Sequence, residues 1–338
     1  MDRVTAGAKI AASVTDRQQE AGEERQRRNL EKLRNELGAV ICEALDDGDV
    51  IEIMVNPDGK IWLDRARSGM EDTGEKISPS RLTAALGTIA AMLDTRINAQ
   101  SPTLEGELPL DGSRVEGTVP PISKGPGLTI RKHASAVFPM SRYIDEERIA
   151  AEHAVRLREA VESRKNILIA GGTGSGKTTF ANALLDIMNE LSPTDRLIVL
   201  EDTLELRYSM ENVYSLRTDE KSETDMRRLV RISLRLRPDR IIVGEVRGKE
   251  ALDLLKSWNT GHPGGICTLH ANSAPSALIR LEQLISEASV SPMKELIGEA
   301  VDVVVFLKRQ AGKGPIVAEV LEVKGVDLKS GAYDCNFY

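Results

Sequence analysis

The sequence predicts an α/β protein, with a mostly parallel sheet in its C-terminal part and a smaller α+β domain ahead of it. Three observations carry this. From 166 to 288, apolar strand-like runs alternate with helical stretches, the pattern of successive βαβ units. Between 51 and 133 strands come in close succession, with turn chemistry such as Asn56-Pro57-Asp58-Gly59 between them and one helix interposed. The third is Gly171-Gly172-Thr173-Gly174-Ser175-Gly176-Lys177-Thr178, which has the spacing Gly-x4-Gly-Lys-[Ser/Thr] and stands between an apolar strand and a helical stretch.

Taken in order, residues 1–28 are polar and highly charged and read as a mobile lead-in, after which Leu30, Leu33, Leu37, Val40, Ile41, Ala44 and Leu45 fall at helical spacing. The α+β domain is expected over 29–138. Ile51 to Val55 and Ile61 to Leu63 form a hairpin, a helix covers Pro79 to Ile97, and strands follow at about 104–110, 114–119 and 127–133. The Pro/Gly-dense stretch 120–127 reads as a flap, and a linker is expected over 139–150. The larger domain, 151–338, continues a helix begun near 145 and running to about 163. Strands are then expected at 166–170, 196–201, 240–244 and 265–269, with helices at 177–190, 224–236, 248–258 and 275–288. The apolar stretches 301–307 and 316–323, separated by Gly312-Lys313-Gly314-Pro315, close it as a hairpin.

A chain of 338 residues is long enough for two domains with sizeable cores. A formal net charge of −7 gives no electrostatic reason to expect non-specific or sequence-specific nucleic-acid binding. Cys42, Cys267 and Cys335 are odd in number and widely spaced, which suggests neither a disulfide framework nor a zinc site and fits a reducing cytoplasm. No run approaches the ~18–20 apolar residues of a membrane span, and the N-terminus lacks the apolar core of a signal peptide. Action at a membrane would therefore be peripheral.

The glycine-rich stretch is a phosphate loop. Backbone N–H groups can wrap an anionic triphosphate only where no Cβ intrudes, which Gly171, Gly172, Gly174 and Gly176 allow, with Thr173 and Ser175 between them. Lys177 supplies a point charge for the β- and γ-phosphates of ATP, the Thr178 hydroxyl is a Mg²⁺ ligand, and Thr179 follows in the first helical turn, whose N–H groups face the phosphates. Glu245 ends the strand 240–244 and is the candidate to orient or deprotonate an attacking water. In Leu200-Glu201-Asp202-Thr203-Leu204-Glu205, Glu201 is the first choice and Glu205 the second for an acid that holds Mg²⁺ through its hydration shell. His270 ends another strand; a lone histidine is more often structural, and its spacing alone gives it no role. Arg227, Arg228, Arg231 and Arg235 lie along one side of a helix, a solvated face, a subunit interface or a nucleic-acid track.

The phosphate loop, Leu200-Glu201-Asp202-Thr203-Leu204-Glu205-Leu206, the stretch Leu236-Arg237-Pro238-Asp239-Arg240-Ile241-Ile242-Val243-Gly244-Glu245-Val246-Arg247-Gly248 and Cys267-Thr268-Leu269-His270-Ala271-Asn272 stand in that order. The chain thereby resembles the hexameric secretion ATPases of type II and type IV systems, and within them the conjugation-type members. The resemblance extends to Glu52-Ile53-Met54-Val55-Asn56-Pro57 and Leu110-Asp111-Gly112-Ser113-Arg114, so it covers about 50 to 325. It implies a RecA-like phosphate-loop ATPase domain, with the nucleotide between the two domains. It also implies that Arg114 and Arg131 reach the phosphates and that His270 senses the γ-phosphate. A homo-hexamer that works with inner-membrane components of a secretion or conjugation machine is implied as well. A type II or pilus-type ATPase, a phosphoryl transferase and a non-enzymatic nucleotide switch are the alternatives. An ABC-type transporter ATPase is disfavoured, since no Leu-Ser-Gly-Gly-Gln signature occurs.

Overall fold

A computed structural model describes residues 22, 24–66, 68–132, 138–219, 222–289, 293–310, 312–327 and 329–338. The expected lead-in lies mostly outside them; its last residues, 24–28, are already helical. The chain divides into two compact units, Met1–Ser135 and Ala136–Tyr338.

The first unit begins with helices α1 (24–37) and α2 (Ala39–Asp46). Helical spacing runs unbroken through both, yet they are separate, because Gly38 takes φ +88° and the Arg81 side chain donates to the carbonyls of Asn35 and Glu36 where α1 ends. There follow β1 (Val50–Val55), β2 (Lys60–Arg65), β3 (Gly69–Lys76), α3 (Pro79–Met92), β4 (Thr103–Glu107), β5 (Arg114–Thr118) and β6 (Gly127–Arg131). The six strands make one antiparallel sheet in the order β3-β2-β1-β6-β5-β4. Ile53 and Val55, Ile61 and Leu63, and Leu128 and Ile130 alternate into a core shared with Leu33, Leu37, Ile41, Leu82, Leu86 and Ile89 of the helices. Ser78 caps α3, its hydroxyl accepting from Arg81 N. The helix stops five residues short of the expected Ile97, because Asp94 adopts φ +53° and Thr95 N donates back to Ala90 O.

The second unit runs α4 (Met140–Asp145), α5 (Ala151–Glu162), β7 (Ile167–Gly171), α6 (Lys177–Leu191), β8 (Leu197–Glu201), β9 (Val213–Arg217), α7 (Met226–Ser233) and β10 (Arg240–Val243). It continues with α8 (Glu250–Asn259), β11 (Ile266–Leu269), α9 (Ala274–Ser286), α10 (Lys294–Ala300), β12 (Val303–Gln310), β13 (Gly314–Val326) and β14 (Tyr333–Phe337). The sheet order is β14-β13-β12-β7-β11-β10-β8-β9, parallel from β12 to β9 and antiparallel from β12 through β13 to β14. Successive strand residues enter opposite cores. Ile167 and Ile169 join Leu197, Val199 and the helices α5 and α6, while Leu168 and Ala170 join Ile198, Leu200 and the helices α7, α8 and α9. Both faces are covered, which is why these strands read as continuous apolar runs. The segment 139–150, expected as a linker, contains α4, and its Tyr143 and Ile149 belong to the α5–α6 core.

The base of this sheet is held by a buried ion network. Arg240, fully buried at the start of β10, donates through Nε to Asp195 Oδ2 at 2.8 Å and through Nη1 to Val161 O at 3.1 Å. Arg164 donates to Asp195 Oδ1 at 2.6 Å. On α7, Arg227 and Arg231 both face Asp253 of α8, at 2.5 and 3.5 Å, so two of the four arginines of the expected stripe are spent on a helix–helix contact.

Candidate functional site

The C-terminal ends of β7, β8, β10 and β11 lie side by side, and each carries one of the polar motifs. After β7 the chain turns through 172–176 and enters α6 at Lys177. Gly176 is the N-cap, with φ +84°, and a Cβ there would stand 2.8 Å from Pro315 Cβ on β13. Only glycine serves both the left-handed turn and the close packing. The Ser175 hydroxyl oxygen is buried with no hydrogen-bond partner among the described residues. A buried, unpartnered hydroxyl inside a glycine-rich turn at a helix N-terminus is a feature that an anionic ligand satisfies.

Lys177 is 8 % exposed, and its ammonium donates to Gly171 O at 3.1 Å, to Gly172 O at 3.0 Å and to His270 Nδ1 at 3.3 Å. An ammonium has no acceptor, so the facing Nδ1 accepts and the ring proton sits on Nε2. His270 Nε2 in turn lies 2.8 Å from Glu245 Oε1, without the alignment of a hydrogen bond. Lysine, histidine and acid thus form one row across the ends of β7, β11 and β10. Val246 N donates to Thr268 O and the Thr268 hydroxyl to Gly244 O at 2.6 Å, which fixes β10 and β11 together next to Glu245.

The Thr178 hydroxyl donates to Glu205 Oε2 at 3.2 Å. Glu201, the first choice for the metal, ends β8 at 2 % exposure, and its Oε1 accepts from the backbone N–H groups of Glu205 and Leu206, each at 2.8 Å. Asn182 Oδ1 accepts from Arg207 N at 2.9 Å and ties the same loop to α6. The carboxylate reached by the threonine hydroxyl is therefore that of the second-choice residue, Glu205, while Glu201 shapes the loop that presents it. Oxygen donors of this kind suit a hard cation shared with phosphate groups. No cluster of three or more metal-ligating side chains occurs among the described residues.

Arg247 was not legible as a site residue. Its Nε and Nη2 donate to Glu245 Oε2 at 2.8 and 2.6 Å, and its Nη1 lies 3.9 Å from Asp202 Oδ2. Burial pulls its pKa down, but the carboxylates of Glu245, Asp202 and Glu205 together outweigh that and hold it above the ordinary arginine value. No periodicity or spacing marks such a residue; only the fold shows that it turns back on the acid two positions earlier. Beside the loop, a cavity of about 480 Å³ is lined by Gly172, Thr173, His270, Asn272, Ile279 and Arg280.

Arg114 and Arg131 belong to the first unit. They are direct partners across β5 and β6, and the row continues outward in register to Glu107 on β4 and Glu52 on β1. Like charges paired directly across a sheet repel, and here the flanking acids offset them.

Among known proteins, the chain is 48 % identical over 311 residues to the conjugal transfer protein TrbB of Rhizobium radiobacter, covering 92 % of this chain and 94 % of that one. It is 34 % identical over 304 residues to the type IV secretion system protein PtlH of Bordetella pertussis, covering 79 % and 87 %. The crystal structure of the ATPase DotB of Yersinia pseudotuberculosis matches 84 % of the chain and 78 % of its own at a TM-score of 0.60 and 18 % identity, a likeness of fold. The mixed α/β fold is thus one already seen in a solved ATPase. The model of the type II/IV secretion system proteins matches residues 52–318, and the chain belongs to that family.

Proposed function

We propose that the protein hydrolyses ATP to ADP and phosphate and that this energises a type IV secretion apparatus for conjugal DNA transfer. The observation that supports hydrolysis most is the row Lys177–His270–Glu245 beside the phosphate loop, with Thr178 and Glu205 alongside. A protein that merely held nucleotide would not need an acid joined to the phosphate-binding lysine through a histidine.

In this reading the second unit is a RecA-like ATPase domain. Loop amides and Lys177 bind the β- and γ-phosphates, and Thr178 and Glu205 are the residues that would hold Mg²⁺, which when bound neutralises phosphate charge. The Glu245 carboxylate takes a proton from water as the water oxygen bonds the γ-phosphorus. The bridging P–O bond breaks and its electron pair leaves with ADP. His270 senses the γ-phosphate, to whose oxygen it can donate only with a proton on Nδ1, once Lys177 has turned to the phosphates. Arg114 and Arg131 are the arginines that would neutralise charge developing on the phosphates.

Family membership and the 48 % identity to a conjugal transfer protein support the cellular role. In this reading the working form is a homo-hexamer, peripheral to the inner membrane. Among the described residues no helix is long and apolar enough to cross a membrane. The test is phosphate release from purified full-length protein together with mating assays on a strain lacking the gene and complemented with the wild type or Lys177→Ala. Wild-type rescue with no rescue by the variant is expected. Equal rescue by both sinks the reading.

A further inference from the structure

Glu245 is held at one oxygen only. Arg247 Nε and Nη2 both donate to Oε2, at 2.8 and 2.6 Å, a grip on one carboxylate oxygen from two points of the same planar guanidinium. Oε1 is shielded from solvent, has no aligned donor among the described residues, and faces His270 Nε2 at 2.8 Å. The two oxygens are thus unlike: Oε2 takes two charge-assisted bonds, while Oε1 has beside it only the unaligned imidazole edge of His270.

The arginine is itself held. Its backbone N–H and that of Gly248 donate to Glu250 Oε1 at 2.6 and 2.8 Å, so the turn between β10 and α8 is fixed by the first residue of α8. Its other terminal nitrogen lies 3.9 Å from Asp202 Oδ2, and Asp202 Oδ1 accepts from Thr218 Oγ1 at 3.1 Å just past β9. The guanidinium therefore spans the ends of β10 and β8. It is turned toward the acid, and no role in binding phosphate is needed to account for its geometry.

We propose that Arg247 is a positioning residue for hydrolysis: it holds the Glu245 carboxylate by Oε2 and so fixes the orientation in which the acid accepts the water proton. This rests on the proposed hydrolytic role of Glu245. It adds that the acid works only in the orientation Arg247 imposes. A carboxylate free to rotate presents the accepting lone pair to water for a fraction of the time, and misplacement on this scale costs roughly 10²-fold in rate.

The experiment compares full-length wild type, Arg247→Ala, Arg247→Lys, Glu245→Gln and the double variant Arg247→Ala/Glu245→Gln. It reads kcat, KM for ATP, affinity for a fluorescent ATP analogue, thermal unfolding and mass in solution. Arg247→Ala is expected to lower kcat roughly 10²-fold with little change in KM or analogue affinity. Arg247→Lys, which keeps the charge and loses the two-point grip, is expected to recover part of kcat. The double variant should turn over within about twofold of Glu245→Gln alone, because the arginine acts only through the acid.

A double variant that falls by the same factor as Arg247→Ala does on wild type would mean the two residues act independently, and the proposal fails. It also fails if Arg247→Ala keeps wild-type kcat, or if its main effect is on analogue affinity, which would make the arginine a phosphate ligand. If Arg247→Ala is unfolded or changes its mass, Arg247→Lys decides: wild-type kcat from a well-folded Arg247→Lys overturns the proposal. Wild-type turnover by Glu245→Gln is a different failure, that of the hydrolytic assignment beneath it.

Discussion

Glu201 and Glu205 sit four residues apart in one loop, yet their surroundings give them different work. Glu201 is buried and accepts two backbone N–H groups, so removing it leaves both donors unpaired. Hydrogen bonds to a charged group are worth about 1.5–3 kcal/mol each, and Glu201→Ala should therefore lower the unfolding midpoint as well as the rate. Glu205→Gln should leave the midpoint near wild type and raise the Mg²⁺ concentration needed for half-maximal rate, since only the contact with Thr178 is altered. Thermal unfolding and a Mg²⁺ titration of both variants check this, and the opposite assignment would return the metal role to Glu201. Lys177→Ala should abolish turnover with the fold intact, as measured by phosphate release beside thermal unfolding; retained turnover would remove the loop from the mechanism. At this scale the phosphate loop and Glu245 can be read as candidates from residue type and strand-end position, whereas His270 gains a role only through the family resemblance. The division between Glu201 and Glu205, and the grip of Arg247 on Glu245, depend on side-chain directions in loops, which periodicity does not encode.

Most central elements of the second unit were readable because a sheet covered on both faces needs uninterrupted apolar strands. The missed ones lie at edges and carry weak patterns. β3 reads Gly-Met-Glu-Asp-Thr-Gly-Glu-Lys and is largely exposed, β9 and β14 are terminal strands of their sheet, and α10 has only seven residues. The helix expected through Gly38 failed for a local reason, a left-handed residue whose flanking carbonyls are capped by a distant arginine. The base of the second sheet offers a test at the same scale. Asp195 accepts from two arginines, one of them fully buried, so Asp195→Ala strands the Arg240 charge and should cost about 3–5 kcal/mol. Arg240→Met fills similar volume without a charge and should cost less. Chemical denaturation of both variants checks the order; equal losses would mean that packing of the arginine stem, rather than its charge, holds the sheet.

For the whole molecule, Arg114 and Arg131 separate two accounts of the first unit. If they only brace the sheet through the row Glu107–Arg114–Arg131–Glu52, their removal lowers the unfolding midpoint and leaves the rate alone. If they meet the phosphates, Arg114→Ala or Arg131→Ala loses kcat by up to ~10³-fold, as arginines acting on a transferring phosphoryl group do. We expect the second outcome, with ATP affinity less affected than rate and with the midpoint little changed, since removing one arginine also relieves a like-charge pair. Steady-state kinetics and thermal unfolding of the two variants decide it.

The measurement closest to the central claim is ATP turnover per subunit by full-length protein, recorded with its mass by light scattering over a range of protein concentrations, for wild type and Glu245→Gln. The wild-type rate per subunit is expected to rise with the assembled fraction, and Glu245→Gln to assemble and bind ATP but turn over at least ~10²-fold more slowly. Negligible wild-type turnover in every assembly state, or a Glu245→Gln rate equal to wild type, would contradict the central claim.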